Sequence, residues 1–126
     1  MAAIPVILIY DVGKTNKKIL LFDEEYKVVF EKSQPFAETK DEDGFPCEDL
    51  QQLTAWLKDS LAMVLADQRF QVKAINFSGY GASFVYLNTA GETFLPLYNY
   101  LEPFPEALKH LFYSSYGGES LVAKQT

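Results

Sequence analysis

The chain has 126 residues, of which 48% are hydrophobic and 15% aromatic. This length and composition correspond to one globular domain, residues 1–126, and exclude disorder and low-complexity structure. The formal net charge of −6 disfavours binding to nucleic-acid phosphates. The longest apolar run, Val6–Tyr10, is too short to span a membrane. The single cysteine, Cys47, cannot form an internal disulfide, which favours a cytoplasmic location.

The first third of the chain predicts three strands with short connections. Val6–Tyr10 is a continuous apolar run, typical of a central strand buried on both faces. Lys18–Asp23 and Tyr26–Lys32 follow it and are rich in apolar, β-branched and aromatic residues. Together they predict an antiparallel meander. The next segment, Ser33–Glu48, is polar and predicts a loop, and its acidic residues are interpreted as solvated.

A helix is predicted to begin after the loop. Asp49 is placed to cap its first turn, with Gln52 three residues on as in a capping box, and the helix should end near Gln68. Trp56 and Met63 flank the expected apolar face and are interpreted as packing residues. That face is formed by six residues at helical spacing: Leu50, Leu53, Leu57, Leu61, Val64 and Leu65.

The second half predicts shorter elements. Val72–Ser78 has the composition of a buried strand, and Phe84–Leu87 and Thr93–Leu95 are expected to form a hairpin. Pro105–Tyr113 predicts a short helix with proline at its start, and the chain is polar and glycine-rich from Ser114. The order β-β-β-α-β-β-β-α resembles the opening of a ribonuclease-H-like α/β layer, in which the helix crosses over to bring Val72–Ser78 parallel to the first strand.

The turn between the first two strands, Asp11–Lys18, is the strongest candidate for a binding site. Gly13 allows close approach of a ligand, and successive backbone N–H groups in such a turn form an anion-binding concavity. Three lysines add positive charge, and Asp11 is placed to hold a hydrated Mg²⁺. A P-loop is excluded because Leu8 stands where its first glycine is needed. The alternative is an ordinary hairpin turn with surface lysines.

The Asp-x-Gly-x-Thr pattern of this turn is similar to the first phosphate motif of the hexokinase/actin superfamily. Within that superfamily, the segments 75–87 and 91–100 resemble the FGGY carbohydrate kinases, and the rhamnulokinase-like branch fits best. The resemblance covers roughly residues 5–105 in order. It implies the α/β fold of the actin-like ATPases and transfer of the γ-phosphate of Mg-ATP to a sugar hydroxyl.

The resemblance also implies roles for individual residues. Asp11 would hold Mg²⁺ through water. The ATP phosphates would be contacted by Gly13, Lys14, Thr15, Asn16 and Lys18. The sugar would be contacted by Tyr80, Gly81, Ser83 and Asn99. The chain departs from the family pattern at Lys14, where many relatives carry threonine, and at Leu101, where many carry arginine, so the identity of the sugar is left open.

No residue of this chain matches the catalytic base of the family, which lies further along in its members. The expectation is therefore an N-terminal part of a kinase that is inactive alone, because phosphoryl transfer needs both sides of the nucleotide held and a base on the attacking hydroxyl. Its expected partners are a small-molecule sugar and the remaining part of the same kinase, and a homodimer is left open. The alternative is a non-catalytic binding or interaction module of the same fold.

Overall fold

The computed structural model describes residues 2–126, which form a mixed α/β structure. The elements in chain order are β1 (Ile4–Val12), β2 (Asn16–Phe22), β3 (Val28–Pro35), β4 (Thr39–Lys40), β5 (Pro46–Cys47), α1 (Leu50–Ala66), β6 (Phe70–Gly79), α2 (Glu106–Ser115) and α3 (Glu119–Gln125). The main sheet has the strand order β3-β2-β1-β6. Neighbours β1, β2 and β3 are antiparallel, whereas β6 runs parallel to β1. The predicted meander and crossover helix are confirmed.

The core lies between one face of the sheet and α1. The buried side chains of β1 are Val6, Leu8 and Tyr10, and those of β2 include Ile19 and Leu21. Ile7 and Ile9, which alternate with the buried residues of β1, are only partly buried. The prediction that β1 is a central strand is therefore correct, but its burial on both faces is wrong, because the described residues cover only one face fully.

Helix α1 begins as predicted and ends slightly earlier. The Asp49 carboxylate accepts a hydrogen bond from the Gln52 backbone N–H at 3.0 Å, which satisfies one of the free donors of the first turn. The helix ends at Ala66 and not near Gln68, because Asp67 is extended and caps the last turn with its backbone N–H bonded to Val64. The Asp67 carboxylate then accepts hydrogen bonds from the backbone N–H and the guanidinium of Arg69, in the turn that leads into β6.

Most of the predicted apolar face of α1 is confirmed, since Leu53, Leu57 and Leu61 are partly buried and pack against the core. Trp56, Ser60 and Val64 are its buried residues, while Leu65 is 63% exposed. Trp56 packs edge-on against Tyr10, with ring centroids 5.4 Å apart. The Tyr10 hydroxyl donates to the Leu57 carbonyl at 2.8 Å, so the sheet and the helix are joined by a polar contact inside the core.

Strand β6 is the edge strand of the sheet and is largely exposed. The prediction of a buried strand is wrong for the part of the chain described, since every residue from 73 to 79 is exposed, Phe77 by 61%. Phe77 stacks on Tyr10 with ring centroids 5.2 Å apart. The apolar composition of β6 therefore reflects a surface that this chain does not cover.

The remaining segments correct several predictions. Phe84–Leu87 and Thr93–Leu95 do not form strands, because only one bridge, Leu87 to Thr93, joins them. The helix predicted at Pro105–Tyr113 is confirmed as α2, with Pro105 at its N-cap. The polar segment from Ser114 contains the unpredicted α3, and the predicted loop contains the short β4–β5 pair. Across residues 2–126, no helix has the length and apolar character needed to cross a membrane.

Candidate functional site at the ends of β1 and β6

The turn after β1 and the turn after β6, both singled out in the sequence analysis, lie side by side at the carboxyl ends of these two strands. β1 and β6 are parallel neighbours, and Val12 pairs with Gly79 at the end of both strands. The Tyr80 backbone N–H then donates to the Val12 carbonyl at 3.2 Å. Ligands of open α/β sheets bind at the carboxyl ends of parallel strands, so this is the edge where a site is expected.

The turn after β1 is tight because its glycine lacks a side chain. A Cβ on Gly13 would lie 2.6 Å from the Asn16 carbonyl oxygen, closer than real Cβ contacts. Asp11 precedes the turn and pairs in register with Lys18 of β2 and Ser78 of β6. Thr15 is exposed, and Asn16 already belongs to β2. The backbone thus has a fixed form, and the Asp11 carboxylate is of the type that holds hydrated Mg²⁺.

The three lysines of the turn are paired with carboxylates, which corrects the prediction of three positive charges beside the concavity. Two of the pairs are open to solvent: Lys14 with Glu38, where nitrogen and oxygen are 3.0 Å apart, and Lys18 with Glu31, at 3.3 Å. The third pair, Lys17 with Glu48, is buried, with side-chain exposures of 0% and 8%. The positive charge of the turn is therefore largely neutralised in the protein as described.

Glu48 also binds the turn that follows β6. The Tyr80 hydroxyl donates to Glu48 Oε2 at 3.1 Å. Burial, with the Glu48 charge and the bond to it as lesser causes, raises the pKa of Tyr80 to about 12. The Tyr80 ring lies 6.2 Å from that of Tyr100 and 6.0 Å from the Lys17 ammonium. The predicted sugar-facing aromatic is thus fixed by a carboxylate and two neighbouring side chains.

The other residues predicted to contact the sugar are bound to nearby backbone. The Ser83 hydroxyl donates to the Tyr98 carbonyl at 3.1 Å, and Asn99 Oδ1 accepts from the Leu101 backbone N–H at 3.0 Å. Gly81 is exposed. These contacts fix the two side chains against the segment that follows the 88–91 turn, and they do not use the Asn99 Nδ2 donors or the acceptor lone pairs of the Ser83 hydroxyl.

Four of the predicted site residues line one crevice. It is bounded by Lys14, Tyr80, Ser83 and Asn99, together with residues that the sequence analysis did not assign to a site: Glu38, Glu48 and Leu97. Its volume is about 10 Å³, enough for about one water molecule. A sugar ring therefore does not fit until the lining residues move. Asp11, Gly13, Thr15, Asn16, Lys18 and Gly81 lie outside this crevice.

The acidic loop before α1 is a part of the site that sequence reasoning missed. Glu38 and Glu48 bind two of the turn lysines, and Glu48 also pairs with Leu97 through a backbone bridge. Further along the loop, Glu42 accepts a hydrogen bond from the Tyr98 hydroxyl. A signal was present in the sequence, since six acidic residues in Glu38–Asp49 complement the three lysines of the turn. The prediction that these acidic residues are solvated is wrong for Glu48, which is buried with Lys17.

The fold of this chain is similar to that of solved sugar kinases of the actin-like ATPase fold. A carbohydrate kinase from Novosphingobium aromaticivorans superposes with a TM-score of 0.74 over 89% of this chain, at 27% identity. Plasmodium falciparum glycerol kinase with ADP superposes with a TM-score of 0.72 over 90% of the chain, at 18% identity. A gluconate kinase from Lactobacillus acidophilus gives 0.60 over 75%, at 23% identity. The last two similarities concern the fold alone.

The predicted resemblance to carbohydrate kinases and the predicted fold class are therefore confirmed, while the rhamnulokinase-like branch is not singled out. This chain spans 23% of the length of the Novosphingobium kinase, 24% of the glycerol kinase and 19% of the gluconate kinase. No protein-family model and no curated protein sequence matches the chain. Among the described residues, no group of three or more histidine, cysteine or acidic side chains is arranged to hold a metal ion.

Proposed function

We propose that this chain is the N-terminal part of an ATP-dependent carbohydrate kinase of the FGGY family. The whole enzyme would transfer the γ-phosphate of Mg-ATP to a sugar hydroxyl, in the cytoplasm. The observation that carries the proposal is the meeting of the Asp11–Asn16 turn and the Tyr80 turn at the carboxyl ends of β1 and β6. That arrangement occurs here in a chain that superposes on a carbohydrate kinase over 89% of its length.

The nucleotide would be held by the turn after β1. Gly13 supports this assignment because its position has no room for a Cβ, so the tight form of the turn depends on glycine there. Gly13, Lys14, Thr15 and Asn16 would bind the phosphates, with Lys18 beside them, and Asp11 would orient the metal through water. The bound Mg-ATP would supply the phosphoryl group.

The sugar would be held by the turn after β6 and the segment beyond it. The Tyr80 ring offers an apolar face, and Gly81, Ser83 and Asn99 lie in the two segments that would surround the ligand. The crevice lined by Tyr80, Ser83 and Asn99 is closed by Lys14 with Glu38 and by Glu48. Opening of the exposed Lys14–Glu38 pair would therefore release a lysine toward the phosphates and admit a polar ligand. Exposed ion pairs contribute only about 0–1 kcal/mol to stability, so separating this pair costs little free energy.

No residue of this chain is assigned as the catalytic base, and the chain alone is expected to be inactive. The base and the second side of the nucleotide site would come from the remaining part of the kinase. Closure of the two parts would exclude water from the reacting groups. A homodimer of the whole enzyme stays a prediction.

The proposal is tested by two measurements. The first is titration of this chain with Mg-ADP, followed by amide NMR, with Gly13→Ala as the matched variant. Shifts confined to residues 11–18 in the original chain and lost in the variant would support the nucleotide site.

The second measurement is ADP release from Mg-ATP across ketoses, aldoses and polyols. It compares this chain with the longest polypeptide that its gene encodes. Activity of the longer polypeptide with one sugar would support the kinase and name its substrate. Absence of both nucleotide binding and activity would favour the alternative, a non-catalytic binding module.

A further inference from the structure

The carboxylate of Glu48 joins three segments that are far apart in the sequence. Oε1 pairs with the Lys17 ammonium at the start of β2, and Oε2 accepts the Tyr80 hydroxyl after β6. The Glu48 backbone N–H donates to the Leu97 carbonyl at 3.3 Å. Lys17 continues the connection, because its ammonium donates to the Lys14 carbonyl at 3.0 Å. An unbroken series of polar contacts therefore runs from Tyr80 to the backbone of the phosphate turn.

We infer that Glu48 is a positioning residue that couples the phosphate turn to the turn carrying Tyr80. This inference rests on the proposed function, because it assigns the two turns to the nucleotide and to the sugar. Glu48 lines the crevice, but both of its oxygens are engaged within the protein, one by Lys17 and the other by Tyr80. Its action would be through the position of those two side chains.

Burial gives this connection the rigidity that coupling needs. The Lys17 side chain is fully buried and lies 5.2 Å from the centre of the Phe36 ring. An ammonium held there cannot leave the Glu48 carboxylate without losing its charge partner at a site that is buried from water. The Lys14–Glu38 and Lys18–Glu31 pairs are both partly exposed and can separate into water. A displacement of the Tyr80 hydroxyl would therefore reach the phosphate turn through Glu48 and Lys17, and not through those surface pairs.

The same contacts define what Lys17 does. Its charge is matched by Glu48, and a second of its N–H donors is directed at the Lys14 carbonyl. Lys17 is therefore not a phosphate-binding residue, although it lies in the basic turn. It fixes the carbonyl of Lys14, and through it the direction in which the neighbouring amides point.

The coupling is tested by an NMR cycle on the full chain without any ligand. Tyr80→Phe removes only the hydroxyl that reaches Glu48. In the original chain, it should shift the amide signals of Gly13, Lys14 and Asn16, although the lost hydroxyl is not bonded to any of them. The same substitution in a Lys17→Met/Glu48→Met background should leave those signals unmoved, because the connection has been removed there.

Tyr98→Phe is the matched control. It also deletes a hydroxyl that donates to a carboxylate, that of Glu42, but this carboxylate has no contact with the phosphate turn among those described. It should leave Gly13, Lys14 and Asn16 unchanged in both backgrounds.

The inference is overturned if Tyr80→Phe shifts these signals equally in both backgrounds, or in neither. A purely structural role for Glu48 would give equal shifts. The double background replaces a buried ion pair by apolar side chains of similar length, which proteins commonly tolerate, and its folding is checked by the dispersion of its own spectrum. Since no nucleotide or sugar is added, failure of the kinase proposal would not alter this outcome.

Discussion

Replacing Lys17 by methionine should destabilise the chain far more than replacing its neighbour Lys18. Lys17→Met removes the ammonium that lies over the Phe36 ring and leaves the buried Glu48 carboxylate without its counter-ion. Breaking a buried ion pair from one side costs about 3–5 kcal/mol. Since Glu48 keeps the Tyr80 hydroxyl as a donor, we expect the lower end of the range, about 3 kcal/mol. Lys18→Met breaks only an exposed pair and should cost about 0–1 kcal/mol.

The assay is equilibrium unfolding in urea, followed by the fluorescence of Trp56, the single tryptophan of the chain. Trp56 is buried on the face of α1 that packs against the sheet, so its emission reports on the core. Lys17→Met/Glu48→Met should recover about 2 kcal/mol of the loss, since the uncompensated charge is gone while Tyr80 and Lys14 each lack one hydrogen bond. Equal unfolding midpoints for Lys17→Met and Lys18→Met would refute the assignment of Lys17 and Glu48 as a buried pair.

Three further predictions concern the turn, its tyrosine and the helix. Gly13→Ala should lower the unfolding free energy by about 1–3 kcal/mol, because its Cβ has no room, whereas Gly79→Ala meets open space and should change it little; urea unfolding compares the two. The folded-state pKa of Tyr80 is raised from 10.0 to about 12, so stability should fall as the pH rises through this window, and less so in Tyr80→Phe, as thermal unfolding in alkaline buffers would reveal. Val64→Ala should cost about 2 kcal/mol and Leu65→Ala less than about 0.5 kcal/mol in urea unfolding, with equal losses contradicting the observed face of α1.

The parts of the fold that could be predicted are those whose signal is local. The capping residue Asp49, the apolar spacing of α1 and the short connections of the meander each depend on neighbours in sequence. The exposure of β6 is of a different kind. A strand rich in apolar residues is buried only when something covers it, and the described residues leave Phe77 and its neighbours open. The apolar composition of a strand indicates that its side chains tend to be buried, but it does not specify which surface buries them.

The site could be predicted in its backbone but not in its charges. The sequence analysis singles out Gly13 because glycine allows a ligand to approach the backbone, and the structure gives that position no space for a side chain. The lysines are neutralised by carboxylates that lie 24 and 31 positions further along the chain, Lys14 by Glu38 and Lys17 by Glu48. The periodicity of the sequence does not encode such distant contacts. Only the complementarity between a basic turn and an acidic loop pointed to them, and that complementarity does not specify which pairs form.

The distribution of these charges gives the site two layers with different roles. The buried layer, Lys17 with Glu48, is fixed, because separating the two charges leaves each of them without a partner away from water. The exposed layer, Lys14 with Glu38 and Lys18 with Glu31, holds only weakly, so an anion with several negative oxygens can replace the carboxylates. Under the proposed function, Mg-ATP would compete with Glu38 and Glu31 for their lysines while the buried pair keeps the turn in place. The acidic loop would then act as a weak internal competitor at the nucleotide site and would not need to unfold for the ligand to enter.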